Sequence, residues 1–298
     1  MVDLQSVMRQ REAVRNVMFS YLMEQMVPFP FNREQMSSWA SDIPRGGECI
    51  IYTSYMYQMA GLFRKYEEML PRFVQLGARR YMVSLSRFFF RPEKEDVDRA
   101  FRILRNISGA LRASGVQFGY LYEEEPYSGG LLLELGMLDE FREYGMKLAS
   151  FFHSRGVKRI ITVDPHTANA LNRLRSLVGL EAEVIPYLKL IKPRISGRFA
   201  IHDSCLYSRH LGMREDIRAM MRTAGAEVVE DQIVTSRSGA VCCGAPLGPL
   251  STDLSDSIAR HRAESLGRLG TQVISFCPFC EGSLQRNGLQ TRDFAEVI

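Results

Sequence analysis

Five of the chain's six cysteines lie between residues 205 and 280: Cys205, the adjacent pair Cys242-Cys243, and Cys277 with Cys280 in a CxxC. Adjacent cysteines disfavour a simple disulfide, and in a reducing cytosol such a cluster reads as metal-binding or redox-active. The C-terminal third must therefore bring three separate segments to one point. Cys205 follows the apolar AIHDS, Cys277 follows VISF, and Cys242-Cys243 follow a loop. Loops at the carboxyl ends of parallel strands converge on one crevice, which gives distant residues a common centre. Gly244 allows a backbone turn after the pair that a side chain would obstruct. Pro278 suits the first turn of a helix.

Thiolates are soft ligands that suit iron–sulfur clusters, zinc or copper(I). A structural zinc takes four ligands in a tetrahedron, so five thiols leave one spare or call for several metals. The spacing favours an iron–sulfur site on Cys205, Cys242, Cys243, Cys277 and Cys280, with zinc and a metal-free dithiol site as the alternatives. Cys49, inside an apolar run, reads as a small buried hydrophobe. His202-Asp203 and His210 flank Cys205, either as hydrogen-bond donors to cluster sulfur or as strand-end and capping residues. His166, beside Asp164, reads as a surface or packing residue, because no further ligand pattern surrounds it. Tyr55, Tyr127 and Tyr207 line a cleft or pack beneath loops, and Glu123-Glu124-Glu125 reads as a solvated acidic loop.

The rest of the chain constrains the class. It has 298 residues, 46% hydrophobic and 24% charged, which is enough for two lobes. The net charge of +4 is spread along the sequence, so no basic stripe argues for nucleic acid. No apolar run reaches the roughly 18–20 residues that span a bilayer, and the start shows no signal-peptide pattern. These features predict a cytoplasmic protein with no transmembrane segment. No glycine fingerprint for phosphate follows the first strand, which disfavours a nucleotide-using dehydrogenase.

Apolar spacing of three or four predicts an N-terminal helix over 4–26, followed by a linker rich in turn formers over 27–47. Strands are expected at Cys49–Tyr52, Tyr81–Leu85, Phe118–Tyr122, Arg159–Val163, Glu183–Ile185, Arg198–Ile201, Glu227–Val229 and Gln272–Phe276. Helices are expected near Met59–Leu76, Asp96–Ala113, Asp139–Arg155, Met213–Ala224 and Leu254–Leu269. The alternation predicts an α/β fold of two Rossmann-like lobes with parallel sheets, preceded by the N-terminal helical extension. The boundaries are 1–46 for helix and linker, 47–193 for the first lobe and 194–298 for the second, with PRISG (193–197) between the lobes.

The two lobes repeat each other. IIYTSYMY (50–57) lies over AIHDSCLY (200–207), PYSGGLLLELG (126–136) over VCCGAPLGPLS (241–251), and RIITVDPHTANAL (159–171) over TQVISFCPFCEGSL (271–284). Each cysteine of the second lobe then faces another residue in the first: Tyr55, Tyr127, Ser128, Asp164 and Thr167. An insertion around 79–115 accounts for the longer first interval.

Cys205, Cys242-Cys243-Gly244 and Cys277-Pro278-Phe279-Cys280 together resemble the cysteine-rich CCG domain of heterodisulfide reductase catalytic subunits. The same domain occurs in anaerobic glycerol-3-phosphate dehydrogenase and in lactate-utilisation proteins. Members usually carry it twice, so the first lobe is similar to a degenerate CCG copy without cluster ligands, and NREQMSSWA (32–40) resembles the stretch that precedes the first copy. The resemblance implies an oxidoreductase subunit with one noncubane [4Fe–4S] cluster on the five cysteines, acting on a small thiol or disulfide substrate. The chain lacks the ferredoxin-type C-x2-C-x2-C-x3-C run, so the resemblance also implies a ferredoxin-like electron-transfer partner within a heterodisulfide-reductase-like complex. A non-catalytic electron-transfer or scaffold subunit, holding a cluster or zinc, is the alternative.

Overall fold

The computed structural model describes residues 4–62, 65, 92–233 and 235–298. Its strands are β1 (Cys49–Tyr52), β2 (Arg159–Thr162), β3 (Glu183–Pro186), β4 (Gly197–Ile201), β5 (Ala226–Val229), β6 (Gln272–Ser275) and β7 (Thr291–Asp293). The helices are α1 (Leu4–Gln25), α2 (Arg33–Ser37), α3 (Lys94–Ala113), α4 (Gly130–Glu134), α5 (Leu138–Ser154), α6 (Pro165–Val178), α7 (Arg214–Thr223), α8 (Thr252–Gly267) and α9 (Pro278–Arg286). One sheet runs β1-β2-β3 and the other β5-β4-β6-β7, with every pairing parallel. Three consecutive buried residues in β1, β2 and β6 reflect strands covered on both faces, which is why they read as short apolar runs. No helix among the described residues is long and apolar enough to cross a membrane.

The repeat is visible in how two helices begin. α6 starts Asp164-Pro165, and the Asp164 carboxylate accepts from the Thr167 backbone N–H at 2.9 Å. α9 starts Cys277-Pro278, and the Cys277 sulfur accepts from the Cys280 N–H at 3.3 Å. Each proline occupies the position where a missing N–H costs nothing, and each preceding side chain satisfies an orphan donor. Both helices follow the middle strands, β2 and β6. The lobes meet through Tyr57, which donates to Asp293 at 2.8 Å, and through Arg99, which pairs with Glu296 at 2.7 Å and with Glu281.

α1 packs on the first lobe. Val14, Met18 and Leu22 recur every four residues and are buried, α1 lies against α5, and Lys147 of α5 donates to the Met23 carbonyl at 2.5 Å. The linker is also ordered: Asn32 caps α2, and Trp39 is buried with its ring 5.1 Å from that of Tyr120.

Several expectations need correction. Phe118–Tyr122 forms isolated parallel bridges, Ile50↔Gly119 and Arg45↔Tyr120, rather than a strand. Tyr122 adopts φ 56°, in the left-handed region, which ends the extended run and opens a 3-10 turn. The acidic run is not a solvated loop. Glu123 pairs with Arg45 and Glu124 with Arg155, but Glu125 is fully buried and accepts from the Thr53 N–H and hydroxyl, both at 2.6 Å. The strand β7 was not expected, because Thr291-Arg292-Asp293 carries no apolar run; it is held as an edge strand by β6. The expected strand Tyr81–Leu85 and most of the expected helix Met59–Leu76 lie outside the described residues.

Burial pushes the Glu125 carboxyl up to about 7 from 4.5, against the donors that favour its charged form. Its folded pKa exceeds its unfolded one, so the native state holds the extra proton between the two values. Unfolding free energy is therefore expected to fall as pH rises from about 4.5 to about 7, by up to about 3 kcal/mol from this group. Urea unfolding across that range should show the slope, and Glu125→Gln should flatten it; an unchanged slope in the variant would exclude Glu125 as its source. A Cβ at Gly119 would lie 1.6 Å from the Gly46 carbonyl oxygen, so Gly119→Ala is expected to cost at least about 1–3 kcal/mol, read as a lowered Tm.

Candidate metal centre

β4 and β6 are parallel neighbours in register, with Ile201 opposite Ile274. Their carboxyl ends therefore open side by side, and the segments that follow them turn toward each other. Cys205 leads into the π-helical turn Leu206–His210, Cys277 caps α9, and Cys280 lies in its first turn. Cys242-Cys243 arrive on the loop before Ala245–Leu247. Gly244 there has φ 78°, and a Cβ would meet the Ser255 carbonyl oxygen at 2.5 Å, so both backbone conformation and space demand glycine. Ser283 of α9 donates to the Cys243 carbonyl at 2.8 Å and ties that loop to the helix.

All five cysteines of the sequence pattern come together. Cys243 Sγ lies 3.2 Å from Cys280 Sγ, Cys242 contacts both Cys205 and Cys243, and Cys277 contacts Cys280. The sulfurs form an unbroken series, Cys205–Cys242–Cys243–Cys280–Cys277. Cys243, Cys277 and Cys280 are buried, whereas Cys205 and Cys242 are half-buried and form the open edge. Cys49 stands apart in β1, half-buried in the other sheet.

The thiols cannot ionise together unaided. The contact with Cys242 is the largest effect raising Cys205, and contacts with Cys242 and with Cys243 do the same to Cys243 and Cys280, respectively. Cys242 is held low, first by its contact with Cys205. Burial pushes Cys277 up, but Cys280 and His166 outweigh it and hold it at about 5. Cys242 and Cys277 are thus favoured as thiolates and Cys205, Cys243 and Cys280 as thiols, and a cationic centre is what would let all five become thiolates.

Two buried side chains complete the surroundings. Arg262 donates from Nε to His202 Nδ1 at 3.2 Å, so the His202 ring carries its proton on Nε2. Burial and the Arg262 charge press the His202 pKa down to about 3 and keep it neutral. Its Nε2 is buried without a partner, while a His202 ring nitrogen lies within 4.8 Å of Cys243 and Cys280 Sγ. A buried N–H without an acceptor beside converging thiols is what a site shaped for sulfide or metal-bound thiolate presents. On both grounds, donor set and orphaned donor, these residues fit an iron–sulfur centre. Asp203 acts differently: its carboxylate takes two bonds from the buried Arg218, both at 2.8 Å, and steadies the Cys205 turn. His210 is exposed at the end of that turn.

His166, read from the sequence as a surface or packing residue with no ligand pattern around it, packs against the thiol site. It is buried, not on the surface, and its Nε2 lies 3.2 Å from Cys277 Sγ. Its Nδ1 lies 2.6 Å from Glu134 Oε1. The signal in the sequence was the alignment of Asp164-Pro165-His166-Thr167 with Cys277-Pro278-Phe279-Cys280. A cleft of ≈ 20 Å³ opens here between the lobes, lined among others by Met56, Tyr127, Glu134, His166, Pro246 and Phe279. Of the three tyrosines considered, Tyr127 lines this cleft. Tyr55 donates to the Tyr122 carbonyl at 3.0 Å, and Tyr207 is buried.

Residues 199–285 match the family model of the cysteine-rich domain called CCG. The chain is 29% identical over 204 residues to the EtfAB:quinone oxidoreductase of Syntrophomonas wolfei, covering 61% of this chain and 28% of that protein. It is 27% identical over 198 residues to the probable iron-sulfur-binding oxidoreductase FadF of Bacillus subtilis, covering 61% and 28%. It is also 27% identical over 227 residues to a probable membrane-anchored ferredoxin of Chromohalobacter salexigens, covering 66% and 33%. The chain thus spans about a third or less of the length of these curated relatives. Residues 199–285, which carry the five converging cysteines, are thus similar to the CCG cysteine-rich domain, and the first lobe repeats its helix starts.

Proposed function

We propose that this chain carries one [4Fe–4S] cluster, of the noncubane type, on Cys205, Cys242, Cys243, Cys277 and Cys280. In this reading it serves as the redox-reactive part of a heterodisulfide-reductase-like oxidoreductase that reduces or forms a thiol or disulfide. The observation that carries the reading is the unbroken contact series of five thiols at one sheet edge. When bound, the cluster supplies one-electron chemistry and a soft surface for sulfur. The protein holds the thiolates in place, sets the His202 ring beside Cys243 and Cys280, and keeps water from three of the five ligands by burial. A substrate sulfur would approach the half-buried edge at Cys205 and Cys242. Electrons would come from a ferredoxin-like partner on the cytoplasmic side, with 194–298 as the cluster lobe, 47–193 as the lobe without cluster ligands and 1–46 as the extension.

A second reading, pure electron transfer within a larger quinone-linked enzyme, draws on the names of the relatives and on the cleft. At ≈ 20 Å³ it holds about one water, not a substrate. Anaerobic purification distinguishes cluster from zinc: about four irons per chain and a brown colour are expected, and a colourless protein with one zinc would refute the cluster. Cys243→Ser and Cys280→Ser should lose most of the iron, whereas Cys49→Ser should retain it. Oxidation in the presence of a thiol should give a thiol-dependent paramagnetic signal, and its absence would favour electron transfer alone.

A further inference from the structure

The lobe without cluster cysteines still reaches the metal centre. Glu134, at the end of α4, and His166, in the first turn of α6, both belong to that lobe. Their side chains are 9% and 8% exposed, and they meet at 2.6 Å through Nδ1. The Glu134 carboxylate at this distance accepts the Nδ1 proton, so Nε2 is the nitrogen left to face the thiol, with either a proton or a metal ion on it. Nε2 lies 3.2 Å from Cys277 Sγ, with the Phe279 ring packed edge-on at 5.2 Å. The lone pair of a buried imidazole facing a thiolate is repulsive unless a proton or a metal ion lies between.

We propose that His166 is a sixth donor to the metal centre, binding through Nε2 beside Cys277, with Glu134 as the carboxylate that orients it. The inference rests on the proposed function, since it needs the metal there. Donors about 2.1 Å (nitrogen) and about 2.3 Å (sulfur) from one metal at a tetrahedral angle lie roughly 3.6 Å apart. The observed 3.2 Å is within a few tenths of that separation. Ligating histidines almost always donate their other N–H to a carboxylate, carbonyl or water, which fixes the ring and raises its basicity. Glu134 supplies that partner. The repeat explains the placement: His166 occupies the position of Phe279, and the two helix starts face each other across the lobe boundary. The first copy would thus have given up its own ligand set and kept one donor for its neighbour's.

Pulsed paramagnetic resonance on the intact chain tests this, with nitrogen-15 in every histidine and the cluster poised in a paramagnetic state. The wild type is expected to show a nitrogen coupling of the size a directly bound imidazole gives, lost in His166→Phe and weakened in Glu134→Gln. An iron-loaded wild type without such a coupling would overturn the assignment. So would a coupling that survives in His166→Phe, or one that disappears only in His202→Phe. A wild-type spectrum without the coupling overturns the assignment even if a variant fails to fold, and if His166→Phe does not fold, loss of the coupling in His202→Phe decides against His166 and its survival there decides for it. A chain that binds no iron would overturn the proposed function and this inference with it; iron without the coupling overturns the inference alone.

Discussion

The parallel pairing of β4 with β6 is the constraint on which the centre depends. Ile201 opposite Ile274 sets the register, and the chain leaves both strands at the same edge. A slip of one residue would send the cysteines that follow to opposite faces. Because neighbouring strands are about 4.8 Å apart, loops from their ends need few residues to meet. Cys205 is four residues beyond β4 and Cys277 two beyond β6, so neither can stray far. The third segment has no strand to aim it. The glycine turn at Gly244, the Ser255 bond to its carbonyl at 3.0 Å and the Ser283 bond to Cys243 hold it instead.

Around this edge the protein buries charge. Arg218 is fully buried against Asp203, and Arg262 is fully buried against His202 and the Thr235 carbonyl. The Arg218–Asp203 ion pair contributes little net stability, because desolvation offsets its attraction. Removing one partner, however, leaves a stranded charge at a cost of about 3–5 kcal/mol. Their effect is directional. Arg218 keeps the Cys205 turn against the sheet, and Arg262 fixes which nitrogen of His202 holds the proton. A site of five converging thiols needs such rigidity if its side chains are to be in place before a metal arrives.

The two lobes show how a repeat can diverge in chemistry while keeping its mechanics. Asp164 and Cys277 do the same work at the start of their helices, accepting from the third residue's N–H and followed by proline. One is an oxygen cap and the other a sulfur cap that can also bind metal. The oxygen at Asp164 costs the first lobe a thiolate but no helix, which is why that lobe folds normally without a centre of its own. Its residual contribution comes from the next turn, where His166 reaches across to Cys277.

Much of this was legible in the sequence. Short apolar runs predicted β1 to β6 to within a residue or two, because strands buried on both faces leave a local signature. The cysteine set was legible because few arrangements use an adjacent pair, a single cysteine and a CxxC, and the repeat was legible because helix starts keep their capping pattern. Three things were not. His166 looked isolated because its partners lie 32 and 111 residues away, at Glu134 and Cys277. Glu125 looked like one of three solvated acids because burial is not written in an acidic run. β7 went unseen because its partner, not its composition, makes it a strand. The sequence by itself determined the fold class and marked five cysteines as candidate donors, since both depend on residue type and local spacing. Only the tertiary structure decided which polar side chains from the other lobe meet those donors, because that is set by how two sheets pack.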